Sequence, residues 1–405
     1  MSNGTVIVGA CQAGFQIAAS LREKGYGERI LLIGEESYAP YQRPPLSKAY
    51  MTGDPSIEKL LLRAPGFYEM NKIEFVSGER ITEVDLRGGR VVSAGGTAFS
   101  FDHLALATGC AARKLPLPGG DLPGVMTLRD IPDALEMRER LHAAENVVVI
   151  GGGFIGLESA AVAAKLGKKA VVLEAMDRLL ARVVAPPMSD FYAAAHARRG
   201  VTVVLNARIE RIEGDANGVR GVRMQDGSLL PADLVVVGIG GVARTELAQQ
   251  VGIECSNGIL VDDRARTSIA EVVAAGDVAT HRDLYGRATR LESVQNAIDQ
   301  AKTAAASILG LEEHYTAVPW FWSDQADLKL QITGLSTGYD NFVVRGVPDS
   351  ESFSLLYYAG DRLIAVDSVG KPADHLAARR ILAAGVAVPK DVAADLAVPL
   401  KSLLG

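Results

Sequence analysis

The apolar positions of this chain fall into short unbroken runs separated by glycine and by small-residue stretches. Val6-Ile7-Val8 is followed by Gly9, an alanine-rich segment and then Ile30-Leu31-Leu32-Ile33. Runs of this kind read as strands covered on both faces, and the stretch between them as a helix packed closely on those strands. Residues 1–36 are therefore predicted to form one βαβ unit. The pattern returns with Val147-Val148-Val149-Ile150, a second small-residue stretch after Gly151, and Ala170-Val171-Val172-Leu173. Between the two copies, residues 37–65 hold Pro40, Pro44, Pro45, Pro55 and Pro65 and read as irregular. Residues 73–101, broken by Gly88-Gly89 and Gly95-Gly96, read as hairpins. Leu104 to Ala107 is a buried strand, and Leu115 to Gly124 a crossover linker. Residues 201–240 read as a β meander ending in the strand Leu234 to Gly238, and Val272 to Asp277 as another strand-to-helix turn. From Ala317 the composition shifts, and Trp320 and Trp322 open a third region.

The two glycine-rich turns carry the chemistry. Amides at a helix N-terminus point outward with partial positive charge, which suits a pyrophosphate. The first glycine makes the tight turn, the second admits phosphate to the backbone, and the third lets helix pack on strand. An acidic residue at the end of the next strand takes the ribose hydroxyls. Gly9-Ala10-Cys11-Gln12-Ala13-Gly14 is followed by Glu35, 21 residues past Gly14. Gly151-Gly152-Gly153-Phe154-Ile155-Gly156 is followed by Glu174, 18 residues past Gly156. One such turn is a weak signal, since ordinary βα turns also use glycine. Two complete copies point to two dinucleotides in one protein, the arrangement that hydride transfer between a nicotinamide and a flavin needs. Cys11 stands where the second glycine of the first copy is expected. The Glu174 carboxylate favours a free 2′-hydroxyl and repels a 2′-phosphate, so NADH is expected over NADPH.

Composition narrows the classes. With 405 residues, 48% of them apolar, two or three domains with sizeable cores are expected. A net charge of −6 argues against general nucleic-acid binding. No apolar run reaches membrane-spanning length, and the first strand begins too early for a signal peptide. The three cysteines, Cys11, Cys110 and Cys255, form no CxxC pair, so neither a redox dithiol nor a zinc site is expected, and the compartment reads as a reducing cytoplasm. Each reads as small core filler. His281, His314 and His375 are isolated, and no metal role is assigned.

Several further segments carry a resemblance. Pro40-Tyr41-Gln42-Arg43-Pro44-Pro45-Leu46-Ser47-Lys48, Ala107-Thr108-Gly109, Gly151 to Glu158, Ala275-Gly276-Asp277, Glu292 to Ala297 and Val318 to Gln325 together resemble the FAD-dependent, NADH-linked ferredoxin reductases that serve bacterial oxygenases. The resemblance covers nearly the whole chain. It implies an α/β, glutathione-reductase-like fold: two Rossmann-type dinucleotide-binding domains plus a C-terminal αβ domain. The FAD-binding domain is expected at residues 1–112 and 244–318, the NADH-binding domain at 113–243, and the C-terminal domain at 319–405. It further implies transfer of hydride from NADH to FAD, then of single electrons to a 2Fe–2S ferredoxin that supplies a haem monooxygenase or a ring-hydroxylating dioxygenase. A monomer or weak dimer is expected.

On this resemblance FAD lies along Gly9, Ala13 and Gly14 with its ribose on Glu35, and is reached by Arg43, Lys48, Thr108, Gly109, Arg113, Asp277, Val294 and Trp320. NADH lies along Gly151, Gly153, Phe154, Ile155 and Gly156, with Glu174, Arg182 and Gly240. Lys48, Glu158 and Trp320 are the catalytic candidates, Lys48 and Glu158 as an ion pair. A fixed cation near the flavin stabilises the negative charge that a hydride brings. From the residues alone, Lys48 and Glu158 read equally well as surface charges on unrelated elements. A tryptophan in a β-rich segment such as Trp320 is, on the residues alone, core packing more often than not, and Trp322 is read that way. The region 319–405 carries eight Lys/Arg and ten Asp/Glu, so any basic docking patch must form in space. Arg63, Arg287, Arg379 and Lys401 are its candidates by resemblance. Other activities stay open: reduction of rubredoxin, a quinone or dioxygen, or a flavoprotein that acts mainly by binding a partner. Tyr41 and Gln42 in the loop after the first unit, where oxidase-type relatives carry a redox cysteine, weigh against the oxidase.

Overall fold

The computed structural model describes residues 2–53 and 55–405. The chain divides into two compact units, one built from Met1–Gln42, Ile57–Ala111 and Val242–Ala317, the other from Arg43–Ser56, Ala112–Gly241 and Val318–Gly405.

In the first unit a five-stranded parallel sheet runs in the order Val272–Ala274, His103–Leu106, Thr5–Val8, Ile30–Ile33, Ile73–Val76. Consecutive residues of its central strands face opposite cores. Ile7 packs with Ile17 and Leu21 of the helix Gln12–Glu23 and with Ala301 and Ala305 of the helix Val294–Ile308. Val6 and Val8 pack on the other side with Ile81, Val91 and Leu247. Both faces are covered, which is why these strands read as unbroken apolar runs.

The second unit repeats the arrangement. Its parallel sheet is Val201–Val204, Lys169–Leu173, Asn146–Ile150, Leu234–Val237, Val125–Met126, with the helix Phe154–Lys165 after the central strand. A three-stranded antiparallel sheet, Ile209–Asp215, Gly218–Met224 and Leu229–Pro231, packs through Ile212 and Val222 against Val148 and Val235. The same unit holds a five-stranded antiparallel sheet in the order Trp320–Gln325, Leu328–Gly334, Arg362–Val369, Ser352–Ala359, Asn341–Val347. The helix Pro372–Ala384 packs on it through Ala377, Ala378 and Ile381. The fold class is thus α/β, with two Rossmann-type sheets and a C-terminal αβ region.

Three local expectations need correction. Ile73–Val76 is not part of a hairpin; it pairs in parallel with Ile30–Ile33, and only the three strands after it form an antiparallel sheet. Val201–Val204 likewise pairs in parallel with Lys169–Leu173 and lies outside the meander. Both are edge strands in which one side is open, so alternate residues such as Glu74 and Thr202 are exposed and mimic hairpin patterning. The turn at Gly276 does not enter a helix directly: Ala279–Arg282 and Ala288–Thr289 form a hairpin first, and the helix starts at Val294.

Candidate functional site

The first turn is closed by steric need. Gly9 has φ +114°, and a Cβ there would lie 2.1 Å from the carbonyl oxygen of Ala107. A Cβ on Gly14 would lie 1.9 Å from the Gly9 carbonyl oxygen, so only glycine lets this helix sit so close to its strand. Cys11 is the helix N-cap in extended conformation and offers the helix no side-chain hydrogen bond. Two other helices are capped by their own side chains, Asp130 accepting from Asp133 N–H and Ser293 from Asn296 N–H, whereas Pro186–Arg198 and Pro372–Ala384 also begin without a side-chain cap. The first amides of Gln12–Glu23 are thus left without a side-chain acceptor from the cap, which is what an anionic ligand needs.

Around this turn the first unit gathers the other predicted residues. A Cβ on Gly276 would lie 2.8 Å from Ala13 Cβ, which brings Ala275-Gly276-Asp277 against the start of the helix. Thr108 Oγ1 donates to the Arg244 carbonyl at 2.7 Å, and Gly109 turns with φ +67°. Val294 opens the helix capped by Ser293. Glu35, one residue past Gly34, is held by the Arg244 guanidinium. No local signal in the sequence ties Arg244 to Glu35, a residue 209 positions away. Cys110 is more than core filler: the Arg290 guanidinium reaches its Sγ at 2.8 Å and the Asp277 carbonyl at 2.8 Å, and Arg290 also pairs with Glu292 at 2.7 Å.

The second turn has the same closure. Gly151 has φ +107°, with Gly238 carbonyl oxygen 2.5 Å from a Cβ placed there, and a Cβ on Gly156 would meet Gly151 oxygen at 2.0 Å. Gly153 is the N-cap of Phe154–Lys165, and Ile155 is exposed in its first turn. Glu174 folds back on the turn: Oε2 accepts from Gly152 N–H at 2.6 Å and Oε1 from Met176 N–H at 2.7 Å. Arg113 N–H donates to Gly240 oxygen at 2.9 Å, and a Cβ on Gly240 would lie 3.8 Å from Arg182 Nη2, so these three predicted residues meet. Lys169, the first residue of its strand, pairs with Glu145 at 2.6 Å.

The second unit also contains a buried ion pair. Lys48 Nζ lies 2.9 Å from Glu158 Oε2, with the side chains 17% and 4% exposed. Ser47 Oγ donates to the same oxygen at 2.5 Å, and Ser323 Oγ donates to Oε1 at 2.6 Å. Burial pushes the Glu158 carboxyl above its ordinary range, opposed by Lys48 and by the two serine hydroxyls. Arg43 anchors the same segment by donating to the Arg129 carbonyl at 2.6 Å. In the C-terminal sheet, Trp320 carries the Arg379 guanidinium 4.4 Å over its ring and the His375 ring 5.6 Å away. Trp322 tilts against Trp320 at 5.7 Å. Burial, with Arg379 and Lys329, lowers His375 to about 4, so it is neutral at physiological pH. The Trp320 indole nitrogen is buried with no partner among the described residues.

The four docking candidates stand apart in character. Arg63 lies over the Phe15 and Phe67 rings at 5.5 and 5.6 Å, and Arg287 pairs with Asp283 at 2.9 Å. Arg379 is on Trp320, and Lys401 is exposed in the C-terminal turn Leu400–Leu404. Among the described residues no group of three or more His, Cys, Asp or Glu is placed to hold a metal, and no helix is long and apolar enough to cross a membrane.

Two cradles that a Cβ would fill, two helix N-termini without side-chain caps and an orphaned indole nitrogen fit a pair of dinucleotides. Comparison with known proteins agrees. The pyridine nucleotide-disulphide oxidoreductase family pattern matches residues 4–301, and a reductase C-terminal pattern matches residues 320–404. Rhodocoxin reductase of Rhodococcus erythropolis is 45% identical over 98% of this chain and 93% of its own length. Putidaredoxin reductase of Pseudomonas putida is 39% identical over 100% and 97%. Among solved structures, a ferredoxin reductase from Rhodopseudomonas palustris superposes with a TM-score of 0.97 at 41% identity, covering 100% of both chains. The covalent putidaredoxin reductase–putidaredoxin complex matches with a TM-score of 0.95 at 38% identity, over 100% and 99%.

Proposed function

Since the chain belongs to the pyridine nucleotide-disulphide oxidoreductase family, we propose that it is an FAD-containing, NADH-dependent ferredoxin reductase that feeds an oxygenase. The carrying observation is the pair of glycine turns, each followed by a carboxylate, together with the buried Lys48–Glu158 pair. FAD, when bound, supplies a centre that accepts two electrons as hydride and gives them up one at a time.

The residues divide the labour. Residues 1–112 and 244–318 form the FAD-binding domain, in which the Gly9–Gly14 turn takes the pyrophosphate and Glu35 the ribose. Thr108, Gly109, Asp277 and Val294 line the same cofactor; Arg43, Arg113 and Trp320 are assigned to it by resemblance. Residues 113–243 hold NADH, with Gly151 to Gly156 on its pyrophosphate, Glu174 on its ribose, and Arg182 and Gly240 beside it. The acid at Glu174 selects NADH over NADPH because it repels a 2′-phosphate. Lys48 places a positive charge in a water-poor environment, and Glu158 orients it. No general base is needed, since alignment of the two rings is the protein's task. Residues 319–405 form the C-terminal domain. Trp320 is the aromatic offered to the flavin there, and the Arg379 guanidinium lies over the Trp320 ring.

The family name refers to disulphide chemistry, which this chain does not carry: its three cysteines form no disulfide, and none lies near another in sequence. Single-electron delivery to a 2Fe–2S ferredoxin fits that set better than a thiol substrate does. Arg63, Arg287, Arg379 and Lys401 are the cations offered to an acidic ferredoxin. Reduced cysteines also fit a cytoplasmic setting.

The purified protein should be yellow, bleach with NADH, and pass electrons faster to a 2Fe–2S ferredoxin than to dioxygen. Rapid NADH oxidation by dioxygen that ferredoxin does not alter would overturn the assignment.

A further inference from the structure

Behind the Lys48–Glu158 pair the second unit contains a line of polar side chains with no evident packing reason. Ser323 and Gln325 sit two residues apart on the strand Trp320–Gln325, so both face the same side of its sheet. His196 comes from the helix Pro186–Arg198. All three are buried, at 0%, 1% and 2% exposure. His196 Nε2 lies 2.8 Å from Gln325 Oε1, Gln325 Nε2 lies 3.2 Å from Ser323 Oγ, and Ser323 Oγ lies 2.6 Å from Glu158 Oε1.

The chain of hydrogen bonds has a direction. A carboxylate only accepts, so the Ser323 hydroxyl donates to Glu158. Its oxygen then accepts from the Gln325 amide, and the Gln325 carbonyl accepts from the imidazole N–H. That sets the His196 proton on Nε2. Burial, and Arg199 one turn away, lower His196, so the ring is neutral and the line adds no charge of its own. Tyr192 packs one turn before His196 with its rings 6.3 Å apart, and Asp367, Asp324 and Glu351 face Tyr192. Among the described residues, the charged group acting on Glu158 is Lys48. Every proton in the line therefore points toward Glu158.

Such a line has an electrostatic consequence. A carboxyl this deeply buried tends to protonate, and a protonated Glu158 would leave Lys48 without its counter-charge. Donors aimed at the carboxylate oppose this, and neutral donors do so without competing for Lys48.

We propose that Ser323, Gln325 and His196 form a buried donor arm that keeps Glu158 ionised and so holds Lys48 charged and aimed. They are positioning residues that act through Glu158. The proposal rests on the reading of Lys48–Glu158 as the flavin-side pair. Its test does not involve ferredoxin, so a protein that bleaches with NADH but fails to reduce ferredoxin would overturn the ferredoxin-reductase assignment and leave this proposal standing.

The test is a pH titration of the FAD-bound protein by infrared spectroscopy. It follows the carbonyl stretch of a protonated carboxyl, assigned to Glu158 through its absence in Glu158→Gln. Ser323→Ala should raise the titration midpoint of Glu158 by about one to two pH units, the weight of one hydrogen bond to a charged group. Ser323→Thr, which keeps the hydroxyl, should bring the midpoint back. Gln325→Leu should shift it in the same direction by less, because the serine still donates. The pH profile of flavin bleaching by NADH should move with the same midpoint. A Ser323→Ala protein that binds FAD and titrates as the parent does overturns the proposal. Should Ser323→Ala not fold, an unshifted midpoint in Gln325→Leu overturns it equally.

Discussion

The two glycine turns share one backbone design and differ in what holds their acids. Both close on a left-handed glycine, and both bring a strand, a helix and a carboxylate together. In the second turn Glu174 is tied by the backbone amides of Gly152 and Met176, so the acid and the turn fix each other locally. In the first, Glu35 is held by Arg244, a side chain from a segment that returns much later in the chain. The second acid is therefore set by its own βαβ unit, whereas the first depends on correct assembly of the whole unit around it. A carboxylate fixed by backbone donors is a rigid reader of ribose. One held by a half-exposed arginine can exchange that partner for a ligand hydroxyl at little cost.

The largest effect should come from breaking the closure itself. Gly9→Val and Gly151→Val each force a β-branched residue into positive φ against a carbonyl oxygen. Gly9→Val should abolish FAD retention, seen as loss of the flavin spectrum. Gly151→Val should leave the protein yellow but weaken NADH by at least about 100-fold, read as KM. Identical outcomes at the two positions would erase the distinction between the turns.

Glu174→Ala comes next. It removes an acceptor bonded to two backbone amides, and kcat/KM for NADH should fall about 10- to 100-fold. The rate with NADPH should fall far less, so the ratio of the two is the measurement. An unchanged ratio would mean that the ribose is read elsewhere.

Arg244→Ala should be milder, changing FAD affinity less than about fivefold, because half-exposed ion pairs contribute at most about 1 kcal/mol. The same substitution should remove part of the salt dependence of FAD binding in an apoprotein titration. A loss as large as that of Gly9→Val would make Arg244 a structural support of the turn rather than a partner of Glu35.

Cys11→Gly should be the smallest. Cys11 offers its helix no capping bond, and glycine at an N-cap costs only a few tenths of a kcal/mol relative to a good cap. FAD affinity should stay within about twofold of the parent by fluorescence titration. A gain well beyond that would show that the side chain obstructs the phosphates.

Much of the site could be read from the chain because a nucleotide turn is local. Strand, glycines, helix and acid lie within some 35 residues of one another, and their spacing alone sets the geometry. The edge strands Ile73–Val76 and Val201–Val204 mimic hairpins for an equally local reason: one open side gives alternating exposure, and pairing direction leaves no mark in the sequence. Cys110 illustrates the limit for single residues. Its burial was foreseen, but its Arg290 neighbour was not, since Arg290 is 180 positions away.

Sequence by itself determined the two turns, their glycines and the acids that follow, because steric permission for a left-handed backbone and the periodicity of a buried strand are properties of neighbouring residues. Which side chains surround those elements was decided only in three dimensions. Arg244 on Glu35, and Ser47, Ser323, Gln325 and His196 gathered behind Lys48 and Glu158, join residues far apart in the chain. Such contacts come from the packing of whole sheets and helices, and a buried charge finds its partners only once that packing has excluded water.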